Sequence, residues 1–306
     1  MKIDLKKYRV KPKNYMDKKD AKSKRVSWLF LFPSLTGVML FFLVPYFIII
    51  FYSFIMNPPT DYSFVGFKNY FTVFNNAAFR TASLNTIKFT FLAVPLAVVI
   101  PLLLALLLDI KIPFKSQFRT AFLTPLMVPV ASVVLVWQVI FHYNGLGNEI
   151  LNSLNIDSVD WFNSEQALFV IVVLFLWKNI GYNMILFMAA LGSVPRDLLE
   201  VAYLENASGW NIFWNIKFRY MTSTLLFVTI MSIINSFKVF REIFLLKGAH
   251  PTSYMYMLQT YMNNKFDALD HHLLSAAAIV MSIVMIIIIG VLFLLEGRVG
   301  KDIEEA

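Results

Sequence analysis

The sequence predicts an all-α membrane protein of six transmembrane helices, with N- and C-termini cytoplasmic. Three observations carry this. Of the 306 residues, 58% are hydrophobic and only 15% charged, against roughly 45–50% and about 25% in a soluble domain. Six apolar stretches reach the ~20 residues a helix needs to cross a hydrocarbon layer of ~30 Å. Lys and Arg gather on alternate connections, which orients the chain. Three segments follow: a basic cytoplasmic tail over 1–27, a six-span domain over 28–296, and a short cytoplasmic tail over 297–306.

Residues 1–25 hold eleven Lys/Arg and three Asp, while the remainder holds sixteen charges of each sign. The net +8 therefore belongs to the tail. Such a tail could bind nucleic acid. A flank held inside by the positive-inside rule accounts for it without a further partner, and no nucleic acid is expected. The apolar run from Trp28 to Phe54 is longer than a signal-peptide core of 7–15 residues and no A-x-A site follows. It reads as an uncleaved first span.

The spans fall at 28–55, 85–108, 119–142, 167–191, 222–246 and 272–295. No ten-residue alternation suggests a barrel, so the spanning backbone must satisfy itself as helix. Pro33, Pro45, Pro95, Pro101, Pro125 and Pro129 lie in the first three spans, where neighbouring helices can re-satisfy the freed groups. With the N-terminus inside, the inner segments carry nineteen Lys/Arg; the outer ones carry only Lys68, Arg80, Lys247 and Lys265. A multi-pass protein of a bacterial inner membrane, in contact with lipid, is expected.

Several function classes are excluded. There is no cysteine and no zinc-type spacing among the four His, so neither a disulfide nor a thiolate metal site can form and no metal site is expected. No H-E-x-x-H, G-x-S-x-G or paired intramembrane acids occur, so no catalytic residue is assigned. No G-x-x-x-x-G-K-[ST] loop occurs either, so the chain does not carry a nucleotide site of that kind.

The 192–221 loop is long for a bundle connection and apolar at helical spacing. Leu198, Leu199, Ala202 and Leu204 fit a short helix with one apolar face. Asp197 and Glu200 have the N-cap and N3 spacing. Asn206, Ser208 and Gly209 read as a stop. Trp210, Phe213, Trp214 and Lys217 open a second amphipathic stretch leading into the fifth span. Such a helix–turn–helix suits either docking in a partner's groove or lying on the membrane.

The stretch from Leu191 to Ser208 resembles the "EAA" motif of ABC importer permeases, E-A-A-x-x-D-G-A followed by F, I and P. Glu200, Ala202, Ala207, Phe213 and Ile216 match. Val201 stands for Ala, Glu205 for Asp, Asn206 for Gly, and Arg219 for the usual Pro. Asn tolerates a left-handed backbone best among non-Gly residues, so Asn206 can keep the turn; the loss of the Pro bears on how the fifth span is approached. Gly66-Phe-Lys-Asn-Tyr70, Asn85-Thr86, Leu104 to Leu108, Arg119 to Pro125, Trp137, Gly145-Leu-Gly-Asn148, Phe237 to Phe240 and Leu245 to Thr252 extend the likeness over about 28–296. The nearest subset is the permeases of the maltose, lactose, raffinose and glycerol-phosphate type.

The resemblance implies a non-enzymatic permease subunit. The EAA coupling loop lies between spans four and five and sits in a cleft of a cytoplasmic ATPase. Glu200 contacts that cleft, Asn206 lies at the turn, Ala202 and Ala207 lie on the packed face, and Glu205 and Gly209 belong to the same coupling loop; the alternative is that both Ala only pack the loop's own hairpin. ATP and Mg would be bound by two ATPase subunits, with no cofactor in this chain. A second related permease and an extracellular solute-binding protein would complete the importer. Loops 56–84, 143–166 and 247–271 would receive the binding protein, with the Phe64–Phe74 and Trp161–Phe162 aromatics as contacts or as an interfacial belt.

Charged groups at membrane depth usually face a cavity or a partner. Lys178 lies near the middle of span four, with Asn179 and Asn183 one turn apart. In span five, Lys238 and Glu242 follow Asn235 on one face. Trp177 offers a plane for a sugar ring. Two readings stand: Trp177, Lys178, Asn183, Asn235, Lys238 and Glu242 line a solute path with Arg241 near the outer mouth, or Lys178 snorkels, Lys238 pairs with Glu242, and the Asn side chains bond between helices. The alternative to an ATP-driven sugar importer, an ion-coupled carrier, commonly places a carboxylate at the midplane; spans four and five have none there. An oligosaccharide is the expected solute. Glycerol phosphate, a monosaccharide or a uronic-acid oligomer stay open, and the Lys178/Lys238 pair suits an anion.

Overall fold

The computed structural model describes residues 13–56, 58–110 and 113–304, with side chains described only within 26–295. Residues 1–12 of the basic tail lie outside the described residues. Helices α1 (Lys13–Val38) and α2 (Val44–Ser53) are joined by a π-helical turn at Met39–Leu43. Pro45 lacks the amide for the next regular bond, and the Val44 amide reaches back to Met39 instead. The connection after α2 carries α3 (Lys68–Asn75). Then come α4 (Ala77–Asp109), α5 (Lys115–Met127), α6 (Val130–Ile140), α7 (Leu146–Ser153) and α8 (Ala167–Gly192). The chain finishes with α9 (Arg196–Leu204), α10 (Gly209–Ile212), α11 (Phe218–Phe237), α12 (Phe240–Lys247), α13 (Leu258–Asp267) and α14 (His271–Glu304).

Five stretches are long and apolar enough to cross a membrane: 26–53, 77–109, 167–192, 209–247 and 271–295. The expected third span, 119–142, is not one continuous helix. It is the pair α5 and α6, bent by 103° at Val128–Pro129. Pro129 supplies no amide, and it sits at the N-cap of α6 with an extended ψ of 131°, so the α5 ladder stops there. The fifth span breaks as well, at Lys238–Val239 between α11 and α12. The tail boundaries at 27 and 297 are compositional only, because α1 begins at Lys13 and α14 runs to Glu304.

The core is the seam between α4 and α8, flanked by α5, α11 and α14. Small residues line it: Ala82, Ala93, Ala97 and Ala105 of α4 are fully buried, and small residues let membrane helices approach closely. Phe89 meets Phe175 edge-on across the seam with centroids 5.4 Å apart. Gly181 marks the tightest crossing. A Cβ there would lie 1.8 Å from the Phe122 carbonyl oxygen of α5. Half of the apolar stretch of α8 is buried, whereas α1–α2 leaves its stretch exposed on this chain.

Motif residues act as staples between elements. The Asn69 amide donates to the Ser53 and Ile55 carbonyls at 3.0 and 2.9 Å, closing the end of α2. Gly66, at φ 58°, turns the chain ahead of it. Asn85 donates to the Ser253 and Tyr256 carbonyls at 2.6 and 3.0 Å, and the Thr86 hydroxyl accepts from the Leu258 amide at 3.0 Å. Asn76 caps α4 by accepting from the Ala78 and Phe79 amides, which is why that helix starts well before residue 85.

Candidate coupling loop and solute path

Loop 192–221 folds as a helix–turn–helix. Pro195, not Asp197, is the N-cap of α9; Asp197 falls in the first turn, where a negative charge suits the helix pole without a capping bond. No side chain caps the helix start; Pro195 has no amide for a side chain at the N3 position, Leu198, to accept from, so a capping box cannot form there. The end is a Schellman turn: the Ala207 amide bonds to Ala202 O at 2.9 Å and the Asn206 amide to Tyr203 O at 3.1 Å, with Asn206 left-handed at φ 54°. The turn is the one expected of Asn206. The Ser208 hydroxyl then caps α10 by accepting from the Asn211 amide at 3.3 Å. The space beside Gly209 is open, so nothing within this chain demands glycine there.

The apolar face of α9 differs from expectation. Ala202 is buried and Leu199 half-buried, but Leu198, Val201 and Leu204 point outward together. They recur at i+3 spacing and form an exposed apolar stripe, with Glu200 and Glu205 exposed beside it. Trp210, Phe213, Trp214 and Phe218 cluster at the following elbow, their nearest centroids 4.8 Å apart. The chain passes from α10 to α11 through a π turn at Phe213–Lys217 and stays helical at Arg219, where a Pro would have interrupted it. Lys217 donates to Asp109 at 2.6 Å, tying the elbow to the end of α4. Lys217 was singled out in the sequence as part of the second amphipathic stretch, but its partner Asp109 was not.

At membrane depth, Lys178 pairs with Glu242 at 2.5 Å. Glu242 is buried and Lys238 exposed, because the α11–α12 break takes them off a common face. The expected Lys238–Glu242 alternatives, a shared face or a pair, both give way to the Lys178 contact. Asn183 is 2% exposed and donates to Ala97 O at 2.7 Å and Ser232 Oγ at 3.2 Å. It clamps α4, α8 and α11. Asn235, by contrast, is exposed and donates to Asn179 Oδ1 at 3.2 Å. Trp177 meets Trp137 edge-on at 6.3 Å. A cavity of about 210 Å³ lies at the α5–α6 bend, lined by Pro125, Trp177, Lys178 and Arg241 among others. A second, of about 320 Å³, adjoins Ser132, Trp137 and Trp177. Gln138, unflagged in the sequence, donates to the Leu245 and Leu246 carbonyls at 3.1 Å and holds α12 against α6.

In the loop between α2 and α4, Phe64, Phe67, Phe71 and Phe74 are exposed. Trp161 and Phe162 are not free in the same way. Trp161 donates to Asn148 Oδ1 at 2.9 Å and packs on Phe141, and Lys247 stands 5.2 Å above the Phe162 ring. Asn148 is buried and also bonds Tyr143 and Val159, which explains its place in the Gly145–Asn148 motif. The Asn163 amide bonded to both oxygens of Asp160 holds that carboxyl below its ordinary value.

A bundle of helices long and apolar enough to span a membrane, one span a sharply bent pair, is the architecture of a multi-pass membrane protein. The chain belongs to the family of binding-protein-dependent transport system inner membrane components, which it matches over residues 70–303; it is a multi-pass inner-membrane transporter subunit and not itself an enzyme. It is 27% identical over 297 residues to the trehalose/maltose transport system permease protein MalF of Thermococcus litoralis, covering 94% of this chain and 99% of that protein. It is 29% identical over 228 residues to the arabinooligosaccharides transport system permease protein AraP of Bacillus subtilis, covering 73% and 72%. Its fold matches a chain of a bacterial ABC transporter involved in import of the acidic polysaccharide alginate, with a TM-score of 0.78 at 21% identity over 92% of this chain and 98% of that one.

Proposed function

We propose that this chain is one of two permease subunits of an ATP-driven ABC importer that takes up an oligosaccharide delivered by an extracellular solute-binding protein. The full-length likeness to permeases named for trehalose/maltose and for arabino-oligosaccharides supports the solute class. The observation that carries the mechanism is the exposed stripe Leu198–Val201–Leu204 on α9, flanked by Glu200 and Glu205 and ended by the Asn206 turn. Three large apolar side chains exposed on a nine-residue helix favour a protein groove over water. We place α9 in the cleft of a cytoplasmic ATPase that binds ATP and Mg. The packing of Ala202 under the helix sets its tilt, and the helical run from α10 into α11 carries motion into the bundle. Both termini are then cytoplasmic.

The solute path runs past Trp177, Lys178, Asn235, Lys238, Arg241 and Glu242, with the α5–α6 bend as its opposite wall. Asn183 drops out of this path as a helix clamp. Because the chain has no cysteine, single cysteines report contacts cleanly. A Leu204→Cys variant in the assembled importer is expected to cross-link to the ATPase, and Glu200→Ala with Val201→Ala to cut uptake at least about ten-fold while the complex still assembles. Labelling of Leu204→Cys from outside intact cells by an impermeant maleimide would overturn the assignment.

A further inference from the structure

Across the six apolar stretches first identified, Glu242 is the only carboxylate, whereas Lys88, Arg119, Lys178, Lys238 and Arg241 are cations. Arg119 stands at the inner edge and Lys88 near the outer end of α4. Of the other three, Lys178 lies on α8, Lys238 stands at the α11–α12 break, and Arg241 lies in the first turn of α12. Glu242 is taken by Lys178 at 2.5 Å. Lys238 and Arg241 are both exposed on this chain and make no ion pair among the described residues. They lie nine and six residues before the outer end of α12 at Lys247, so at 1.5 Å per residue they sit about 13 and 9 Å down the chain from it. Charge at that depth needs a counter-charge or a wet cavity. Arg241 lines the cavity at the α5–α6 bend together with Trp177, which gives an aromatic face beside a planar, bidentate oxyanion donor.

We propose that the transported oligosaccharide is acidic and that Lys238 and Arg241 hold its oxyanion groups, whether carboxylate or phosphate, as it passes Trp177. This rests on the solute path proposed above. Lys178 is not the handle that sequence alone suggests, since Glu242 already neutralises it. Lys238 stands in the break and Arg241 in the first turn of α12, so relative movement of α11 and α12 would part the two cations and release the anion.

The test uses the intact importer in lipid nanodiscs at about 150 mM salt, where long-range charge effects are screened. Binding of trigalacturonate, glucose 6-phosphate and maltotriose is measured by calorimetry, without the binding protein, in wild type, Trp177→Ala, and Lys238→Gln with Arg241→Gln. An anionic probe is expected to bind at least about ten-fold tighter than maltotriose, and the double variant to lose that preference; which anion wins identifies the oxyanion. Maltotriose binding as tightly or more tightly, still weakened by Trp177→Ala, would overturn the acidic solute and leave the path standing. Binding of no probe, or binding that Trp177→Ala does not change, would overturn the path and the proposal with it. Failure of the double variant to assemble with the second permease would place the two cations in a subunit interface and also overturn the proposal; the single variants separate the two contributions.

Discussion

Asn206 shows how one backbone angle can decide a residue. At φ 54° it stands where a β-branched side chain is strained and glycine is free. Asn206→Gly is expected to leave stability within about 0.5 kcal/mol, and Asn206→Val to cost about 1–2 kcal/mol of local stability. Amide exchange at Ala207, whose bond to Ala202 closes the turn, reads this directly; equal exchange in both variants would mean that the turn does not depend on residue 206. The left-handed turn was legible in the sequence because Asn sits where the motif has Gly. Gly181 was not. Nothing local distinguishes it from Gly290, beside which there is open space, and only the crossing with α5 at Phe122 makes a side chain there impossible.

At the scale of elements, length and apolarity located the spans, but not their breaks. The prolines of α4 and of α5–α6 looked alike in sequence. Pro95 and Pro101 stay inside one continuous helix, whereas Pro129 stands between two; α4 is clasped along its length by α8 and α11, while α6 packs mainly on α12. The same blindness put Asn183 on the solute path. Periodicity gives a face, and which neighbour covers that face is a tertiary fact. The two asparagines now separate. Asn183→Ala is expected to lower the bundle's thermal stability by about 0.6–1.7 kcal/mol with solute affinity unchanged. Asn235→Ala is expected to leave stability nearly intact and weaken uptake. A thermal melt in detergent paired with uptake in vesicles checks both, and the reverse pattern would return Asn183 to the path.

For the whole molecule, the proposed coupling requires that movement of α9 reach the groups around the α11–α12 break. α9 connects to that break through α10 and α11, a helical run from Gly209 to Phe237. A π turn interrupts it at Phe213–Lys217, and such turns often mark functional hinges. The ion pair from Lys217 to Asp109 ties that elbow to α4, the central helix of the core. The lysine side chain is mostly covered and the carboxylate only partly so, so its intrinsic contribution is small, about 1 kcal/mol or less. Its value would lie in geometry: it makes α4 follow the elbow. Asp109→Asn and Lys217→Gln are each expected to leave the complex assembled and its ATP turnover near wild type, while solute moved per ATP falls about three- to ten-fold; the swap Asp109→Lys with Lys217→Asp is expected to recover part of the loss. Uptake and phosphate release measured on the same proteoliposomes give that ratio. A parallel fall in both would assign the pair to stability alone, and an unchanged ratio would move the transmission onto the aromatic cluster of Trp210, Phe213 and Trp214.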